Sequence, residues 1–266
     1  MFVKIASSEI PYYQFPMLEP YSGVMKHAVF TRAGGISEAP FTSLNVRYGI
    51  GDPDVSVTKN RQIMQLFFEH NFLDNSSRTL ISANQTHSDH IAVLAKGEEL
   101  PEVPPHEIDD VDAFVTNRND ILLLLQTADC QPIILLDPVT KTLGMVHNGW
   151  RGCIQNILGK TIDTMRDEFD VDAKNIIACI GPSIGPCCHY FTDPANELPS
   201  EFHKYIFNEK QVDFLAAAQD PLMEAGIPAG QIEISNICTS DHTNEFYSYR
   251  RENRLTGRFG VVAGLV

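Results

Sequence analysis

Three short apolar runs separated by turn residues constrain the fold of this chain more than any other feature. The runs are Ile121–Leu125, Pro132–Leu136 and Leu143–Val146. Each has the length of a buried strand and is far shorter than the roughly 20 residues that cross a bilayer. Residues 137–140 (DPVT) predict a turn, because Asp accepts backbone N–H groups and Pro presets φ. The segment therefore predicts consecutive core strands, two of them joined as a hairpin.

This hairpin brings a thiol near an imidazole. The turn is expected to close with Asp137 opposite Thr140 or Lys141. Counting back along both strands then places Cys130 opposite His147 or the residue after it. Directly opposed residues on one face of a sheet have Cβ atoms ~5 Å apart. A thiol and an imidazole at that separation indicate a site for a metal ion or for proton transfer.

The composition bounds the class of protein. The chain has 266 residues, 43% of them hydrophobic, which is enough to bury a large core. Strands and helices occur without regular βαβ alternation, so we expect a mixed-sheet α/β or α+β layered fold. No stretch reads as a linker between domains, and a single domain over residues 1–266 is expected.

The net charge of −14 limits the partners of the chain. Binding to nucleic acid or to an anionic membrane needs clustered Lys and Arg, so we expect neither partner. Small anionic substrates remain compatible, because a few local arginines can bind phosphate. The N-terminal residues lack the apolar core of a secretory signal. Six cysteines are too sparse for a disulfide scaffold, so we expect reduced thiols and a cytoplasmic protein.

Other stretches carry weaker structural signals. In chain order they predict an N-terminal strand within residues 1–20, an exposed acidic loop at 97–108, a helix from about 152 to 169, two helices within 195–228, and closing strands at 246–251 and 258–266.

Cys130, His147 and one further His form a candidate zinc site. Three protein ligands with an open fourth position are typical of catalytic zinc, whereas structural zinc sites close with four ligands. His87 is the preferred third ligand because it directly follows a predicted strand. His90 lies further out in the same loop and is the second choice.

Other interpretations of the same residues remain open. Cys130 as nucleophile, His147 as base and Asp129 as orienting carboxylate would form a cysteine hydrolase. Copper redox sites also use two His and one Cys. The nine His are scattered and include no His-x-His pair, so a trinuclear cluster is hard to build within one chain. Copper can still occupy a Cys-His-His site, because it outcompetes zinc. A purely structural interpretation is also open, in which Cys130 is a buried core residue, His147 is only hydrogen-bonded, and no metal is bound.

The arginines suggest one anion site. Arg151 follows the His147 turn at the start of a predicted helix, where phosphate or a carboxylate can bind. Arg250, Arg251 and Arg258 form a basic cluster that we expect to pair with internal acids.

The remaining cysteines point to structure rather than to chemistry. The Gly/Pro-rich loop Gly181–Cys188 is suited to form the wall of a pocket. Cys187 and Cys188 point in different directions if this loop is extended, which makes them poor joint metal ligands. Cys238 stands alone and is expected in the core.

Seven sequence blocks in the same order carry a resemblance to a known family. They are Thr31–Gly35 with Ser43–Asn45, Gln85–His87, Asp110–Thr116, Thr127–Cys130, Val146–Gly152, Gly181–Cys188, and Ser248–Arg251 with Thr256–Arg258. In these blocks the chain resembles the YfiH family, also called the laccase-domain or multicopper polyphenol oxidase family.

The resemblance implies a fold and an activity. The expected fold is a single-domain, four-layer α/β/β/α sandwich with mixed sheets. The expected metal ligands are His87, Cys130 and His147, holding Zn²⁺ or alternatively Cu²⁺. The implied activity is phosphorolysis of purine nucleosides (adenosine, inosine, guanosine and methylthioadenosine) together with deamination of adenosine. A copper-dependent, laccase-like polyphenol oxidase is the alternative. The implied partners are purine nucleosides and phosphate, for a monomer or homodimer.

Further residues receive roles within this interpretation. Asp129, adjacent to Cys130, is the candidate general acid or base. Arg151, with Arg47 or Asn45, is the candidate phosphate-binding set.

The sequence also departs from the family pattern at the pocket rim. Gly49 stands where many members carry a His, and Arg47 replaces a small residue. Asp241 stands where many members have a second Cys after Cys238.

Overall fold

A computed structural model describes residues 2–5, 10–100 and 107–266 of the chain. Two of the sequence predictions fall partly outside these ranges. Met1 and residues 6–9, from the predicted N-terminal strand region, lie outside the described residues, and so do residues 101–106 of the predicted acidic loop. Within the described part of the N-terminal region, two short strands are present.

The strands are, in chain order, β1 (Val3–Ile5), β2 (Tyr12–Gln14), β3 (Met25–Phe30), β4 (Thr79–Asn84), β5 (Ile91–Leu94), β6 (Glu107–Asp109), β7 (Ala113–Thr116), β8 (Ile121–Thr127), β9 (Gln131–Asp137), β10 (Thr142–Asn148), β11 (Ile177–Ile180), β12 (Ile206–Phe207), β13 (Gln211–Val212), β14 (Ile232–Ile234) and β15 (Phe259–Leu265). The α-helices are α1 (Asp54–Phe72), α2 (Trp150–Ile154), α3 (Ile157–Phe169), α4 (Pro194–Glu197) and α5 (Phe214–Glu224). Short 3₁₀ helices cover Pro16–Tyr21, Ala173–Asn175, Ser200–Tyr205 and Ala229–Gln231.

Most of these strands belong to two mixed sheets. In the described ranges, one sheet has seven strands in the order β1-β2-β3-β15-β8-β4-β6. The second has six strands in the order β14-β11-β9-β10-β7-β5, and β12 and β13 form a separate hairpin. Both sheets combine antiparallel with parallel pairs, as β4 runs parallel to β8 and β5 runs parallel to β7.

The apolar clusters show that the layers are stacked as α/β/β/α. Side chains from both sheets, among them Leu123 and Ile134, pack into one core between the sheets. The outer face of the seven-stranded sheet packs against α1, for example through Leu124 and Met64. The outer face of the six-stranded sheet packs against α3 and α5. The predicted four-layer sandwich is therefore confirmed.

The three apolar runs of the central segment form β8, β9 and β10, in which every residue is buried. A strand covered on both faces needs no polar alternation, which explains why the runs are continuously apolar. The sequence does not reveal that β8 belongs to one sheet and β9 to the other. Residues 128–130 therefore cross between the two sheets, with Asp129 in the left-handed region at φ 88°.

The predicted register of the hairpin is wrong by one or two residues. Asp137 pairs with Thr142 and His147 with Pro132, so continuation of the pairing puts Gly149 opposite Cys130. The loop is longer than expected because Lys141 adopts a left-handed conformation at φ 54°. The Asp137 carboxylate also accepts a backbone N–H bond of 2.8 Å within this loop.

Three other predicted elements need correction. The helix expected at 152–169 is interrupted between α2 and α3, where Asn156 adopts φ 58° and caps α3 through its side chain. Of the two helices expected within 195–228, α5 is present, but the first is replaced by α4, a 3₁₀ turn and the β12–β13 hairpin. Phe246–Arg251 forms turns rather than a strand, because its backbone bonds to side chains such as Glu252.

Strand β15 confirms the closing strand predicted at 258–266 and lies between β3 and β8. Among the described residues, no helix has the length and apolar character needed to cross a membrane.

Candidate active site

His87, Cys130 and His147 come together from three parts of the fold; we call them the His-Cys-His group. His87 follows β4, Cys130 lies on the segment that crosses between the sheets, and His147 lies in β10. One donor atom from each lies within 4.8 Å of the others. The Cys130 Sγ is 3.5 Å from the Nε2 of His87, and the two imidazole rings are 5.1 Å apart between centroids.

Asp112 organises this group although its role was not predicted. Its fully buried carboxylate accepts a 2.7 Å bond from the Nδ1 of His147. It also accepts the backbone N–H groups of Thr86, His87 and Ser88. The carboxylate thus leaves Nε2 of His147 as the nitrogen that can bind a metal, and it fixes the loop that carries His87. The sequence signal is an acidic residue directly before a strand that pairs with the His147 strand.

The thiol and the imidazole influence each other's ionisation. Burial opposes ionisation of Cys130, but the neighbouring His147 and His87 outweigh burial and lower the pKa of the thiol. Burial likewise opposes protonation of His147, but Cys130 and Asp112 outweigh it and raise the pKa of the imidazole. Without a metal the group therefore favours a thiolate–imidazolium pair. A thiolate is also the form in which Cys binds metals.

Gly149 is required beside this group because the space for a side chain is already filled. A Cβ on Gly149 would lie 2.5 Å from Cδ2 of His87 and 3.2 Å from Sγ of Cys130. The backbone at Gly149 has φ −73° and ψ 166°, which any residue adopts. Close approach of the two ligand side chains, rather than backbone strain, thus accounts for this glycine.

The donor set fits zinc. Two imidazoles and a thiolate are ligands that zinc prefers, and three protein ligands leave one position for a water or substrate. The carboxylate on the outer nitrogen of His147 is the usual companion of a metal-binding imidazole. Copper shares a preference for two His and one Cys, so the group is metal-capable without selecting one metal on ligand type alone.

The His-Cys-His group lines a cavity of about 920 Å³, within the ~300–1,000 Å³ usual for ligand pockets. The charge of its lining is opposite to the net charge of −14 of the whole chain. Among the residues that the structure describes, the charged side chains of the lining besides its histidines are Arg47, Arg151, Arg250, Arg254 and Arg258 against Asp129 and Glu197.

Residues 26–266 match the family described as multi-copper polyphenol oxidoreductase laccase. The chain belongs to this family. It is 28% identical to purine nucleoside phosphorylase YlmD of Bacillus subtilis (strain 168) over 245 residues, 88% of this chain and 86% of that protein. It is 30% identical to a purine nucleoside phosphorylase of Deinococcus radiodurans over 258 residues, 94% of this chain and 93% of that protein.

Solved structures agree with this membership. The crystal structure of YlmD from Geobacillus stearothermophilus has a TM-score of 0.84 and 27% identity, and the match covers 99% of this chain and 98% of the other. The crystal structure of a Bacillus licheniformis protein described as hypothetical protein YfiH has a TM-score of 0.85 and 28% identity, with 99% of each chain covered. The family resemblance predicted from the sequence blocks is confirmed.

Asp129 of this laccase-family chain lines the cavity, but its carboxylate is already hydrogen-bonded. Oδ1 accepts from the Oγ1 of Thr239 at 2.6 Å, and Oδ2 accepts from the backbone N–H of Arg250 at 2.7 Å. Burial raises the pKa of Asp129 despite these donors. The carboxyl therefore ties the crossing segment to the loop before β15, and its role as a general acid or base stays a prediction.

Asn45 is buried outside the cavity lining, and its amide is fully used within the protein. Its nitrogen donates to the carbonyl of Arg47 and to Asp52, and its oxygen accepts the backbone N–H groups of Arg47 and Arg258. These bonds fill the two donor and two acceptor positions of an amide. The geometry favours Asn45 as a residue that positions Arg47 and Arg258, and direct contact with phosphate stays a prediction.

Arg47 and Arg258 lie in the cavity lining near the thiol. Burial lowers the pKa of Arg258, the Cys130 thiolate opposes this effect, and Arg47 adds to the lowering. The guanidinium of Arg258 lies 5.2 Å from the ring centre of Tyr249. Arg47 donates to the side chain of Asn84 at 2.7 Å. Both guanidinium-bearing residues thus line the same cavity as the candidate metal ligands.

Arg151 is an exposed part of the lining, with its guanidinium 4.5 Å from the ring centre of Trp150. Helix α2, which carries it, has only five residues. Any binding of an anion at Arg151 therefore depends on its own guanidinium more than on a helix dipole, which needs longer helices.

The expected pairing of Arg250, Arg251 and Arg258 with internal acids is wrong. Within the described ranges none of the three forms an ion pair. The guanidinium of Arg250 donates to the carbonyl of Tyr190, and only its backbone N–H bonds to Asp129. Arg250, in the turns that replace the predicted strand, and Arg258, directly before β15, line the cavity instead.

Aromatic side chains form another part of the lining. Trp150 packs edge-to-face on Phe191 at 5.9 Å, and Phe191 stacks with Phe214 at 6.0 Å. His189 lies against the same two Phe rings. Burial, with a smaller effect of Arg250, lowers the pKa of His189 to about 3, so this imidazole is neutral.

A second group of cysteines contradicts the sequence interpretation. Cys187, Cys188, Cys238 and Asp241 each place one donor atom within 4.8 Å of the others; we call them the cysteine group. The loop is not extended at Cys188, whose N–H bonds to the carbonyl of Gly185 at 2.9 Å, so the adjacent thiols do not point apart. Cys238 is partly exposed rather than in the core.

Proposed function

We propose that this chain is a purine nucleoside phosphorylase that uses the His-Cys-His group and the arginine-lined cavity. The observation that carries the proposal is the set of five arginines around the cavity of an acidic protein. Such a lining attracts a small anion while the rest of the surface repels polyanions. Relatives that are named purine nucleoside phosphorylases, at 27–30% identity, support the same activity.

Phosphate is assigned to the Arg47–Arg258 pair, with Arg151 at the rim. Both residues line the cavity, and arginine guanidiniums form strong charge-assisted hydrogen bonds with phosphate oxygens. Phosphate held there attacks C1′ of the ribose through one oxygen as the bond from C1′ to the base nitrogen breaks. The base leaves with that electron pair and takes up one proton from solvent. Asn45 keeps both arginine backbones in position for this contact.

The base is assigned to the aromatic side of the cavity, at Trp150 and Phe191. Purine rings stack on aromatic side chains, with a contribution of ~1–3 kcal/mol per base. His189 beside them is neutral, so it can accept or donate a hydrogen bond without adding charge. The proposed substrates are adenosine, inosine, guanosine and methylthioadenosine, which share the purine ring and the ribose.

Zinc is the proposed metal, held by His87, Cys130 and His147. When bound, zinc supplies a Lewis acid that polarises a substrate oxygen or lowers the pKa of a water molecule. Asp112 holds the His147 ring in the required tautomer. Deamination of adenosine at this site is part of the proposal, with Asp129 as the proton carrier because burial raises the pKa of its carboxyl.

A copper-dependent polyphenol oxidase is the second candidate. Two observations favour it: the donor set of two His and one Cys suits copper, and the family is described by that activity. A multicopper cluster needs many further imidazoles. In the described part of the chain, the only other metal-capable group consists of Cys and Asp.

The deciding experiment measures the products from inosine with and without inorganic phosphate, on protein loaded with zinc or with copper. We expect hypoxanthine and ribose 1-phosphate in equal amounts, only when phosphate is present. Base release that is independent of phosphate would identify a hydrolase instead. Oxygen uptake with a phenol and no base release would favour the oxidase.

The phosphate assignment is tested separately with Arg258→Ala and Arg151→Ala. Loss of a charge-assisted contact costs ~1.5–3 kcal/mol, so the KM for phosphate should rise ~10- to 100-fold for a contacting arginine. Deamination, which needs no phosphate, should be largely retained. Arg166→Ala is the matched control, because Arg166 lies on α3 and pairs with Asp163 at the surface. Equal loss of both activities in an arginine variant would contradict the assignment.

A further inference from the structure

The cysteine group has the ligand geometry of a closed metal site. The Sγ atoms of Cys187 and Cys188 each lie 3.4 Å from an oxygen of Asp241. Zinc binds sulfur at ~2.3 Å and carboxylate oxygen at ~2.0–2.2 Å, which in a tetrahedron separates sulfur from oxygen by about 3.6 Å. The observed separations therefore need only small side-chain adjustments to receive a zinc ion.

The backbone holds these side chains in place from two distant loops. Ser183 and Cys238 form a parallel bridge, and Thr239 donates its N–H to the carbonyl of Ser183 at 3.0 Å. The N–H of Gly185 points at the sulfur of Cys238, 3.2 Å away, and a Cβ on Gly185 would lie 3.2 Å from the sulfur of Cys187. N–H groups directed at a sulfur are a common feature around bound thiolates.

We propose that Cys187, Cys188, Cys238 and Asp241 bind a second zinc ion at a closed, structural site. Three thiolates select a soft or borderline metal such as zinc over magnesium or calcium. Four protein ligands fill a tetrahedron and leave no position for substrate. Binding releases the thiol protons to solvent and forms three Zn–S bonds and one Zn–O bond, with no change of oxidation state. A disulfide would use only two of the sulfurs and would leave the third sulfur and the carboxylate without a shared role.

The second zinc would fix the wall of the cavity. Ile184, in the first loop, donates its N–H to the carbonyl of Asp129 at 2.8 Å. Thr239, in the second loop, donates its hydroxyl to the Asp129 carboxylate. The chain then continues to Tyr249 and Arg250, which line the cavity. A zinc ion between the two loops would hold this part of the rim next to the crossing segment that carries Cys130.

The test is the metal content of the full chain, purified under reducing conditions and equilibrated with zinc. We expect two zinc ions per chain in the wild type and loss of one in Cys238→Ser. His147→Ala should lose the other ion. Cys179→Ala, which removes a buried thiol outside both groups, should keep two. This result is independent of the proposed activity, because no substrate enters the measurement. An equal zinc content in the wild type and Cys238→Ser would overturn the proposal, and so would an intact mass showing a disulfide in the purified protein.

A gain-of-ligand variant separates binding from folding defects. Asp241→Cys supplies a fourth thiolate. After cobalt substitution, the thiolate-to-cobalt charge-transfer absorption should therefore rise by the amount that one thiolate ligand contributes. Cys238→Ser should lower the same absorption. Opposite changes in the two variants cannot both come from misfolding. No increase in folded, cobalt-loaded Asp241→Cys would overturn the proposal.

Discussion

Replacement of Gly149 by alanine is expected to damage the His-Cys-His group while leaving the fold intact. The backbone angles at Gly149 suit any residue, so the substitution adds no backbone strain. The new Cβ would instead stand 2.5 Å from Cδ2 of His87. His87 can rotate away from this contact, but only by leaving the position in which it would share a metal ion with Cys130.

The structure sets the size of the effect. Ordinary carbon contacts begin near 3.4 Å, so the His87 ring must move by about 0.9 Å from a Cβ that is 2.5 Å away. Metal–ligand distances tolerate only about 0.2 Å. Changes that merely disturb the residues behind a ligand weaken binding ~10- to 100-fold, so displacement of a ligand should weaken zinc binding by at least about 100-fold. That loss removes ~2.7 kcal/mol of zinc-linked stabilisation at a fixed saturating concentration.

The assay combines zinc affinity, by competition with a chelator, with thermal unfolding in the presence and absence of zinc. Without zinc, Gly149→Ala should lose about 1 kcal/mol because alanine is a poorer N-cap of α2, and about 1–3 kcal/mol more because its Cβ crowds His87 and Cys130. Gly23→Ala is the matched control, since nothing lies within 4 Å of its Cβ position. Because both variants keep the cysteine group, comparing them also cancels any zinc bound there. A folded Gly149→Ala protein that binds zinc within about threefold of the control would refute the reasoning.

Two further predictions concern carboxylates, the buried Asp112 and the half-buried Glu107. In Asp112→Asn the amide keeps only one acceptor oxygen, so either His147 or the His87 loop loses its acceptor, and zinc affinity should fall ~10- to 100-fold. The control is Asp110→Asn, because the Asp110 carboxylate pairs with His90. An equal fall of zinc affinity in both variants would contradict the role of Asp112. Burial opposes ionisation of Glu107, but Arg61 outweighs it and lowers the pKa of Glu107. This pair therefore stabilises the fold above the unfolded-state pKa of ~4.3, and the stabilisation is lost as the pH falls through the lower folded-state pKa. Glu107→Gln should lower the free energy of unfolding by about 3 kcal/mol near pH 7. In urea unfolding it should also flatten the dependence of that free energy on pH at acidic pH, and an unchanged pH dependence would exclude the linkage.

The sequence is sufficient for the central strands and for the donor types of the site. Short continuous apolar runs between turn residues favour buried strands, and β8, β9 and β10 follow these runs closely. Cys130 and His147 stand at strand ends, where side chains are accessible to a ligand. The same criterion favours His87 over His90, and the structure brings His87 to Cys130.

What the sequence could not supply depends on contacts between distant segments. The register of the hairpin depends on one left-handed residue, Lys141. The β-branched Thr140 disfavours that conformation, but the sequence alone does not show that the loop needs a left-handed residue. The role of Asp112 depends on strand pairing that places it beside His147. The cysteine group needs two loops more than 50 residues apart to meet, as the 53-residue separation of Cys188 and Asp241 shows. An extended-loop assumption separated thiols that a turn at Gly185 brings together.

The chain segment that crosses between the sheets explains how three candidate metal ligands from separate parts of the fold meet beside the cavity. His87 follows a strand of the seven-stranded sheet, and His147 lies in the six-stranded sheet. Cys130 lies on the segment between them. A metal bound by all three therefore joins the two halves of the sandwich at the point where the sheets are linked by chain. Such an ion would contribute to stability as well as to chemistry, so chelation should lower the unfolding temperature even where no substrate is present. It should do so less in Gly149→Ala, in which the ligands from the two sheets no longer meet.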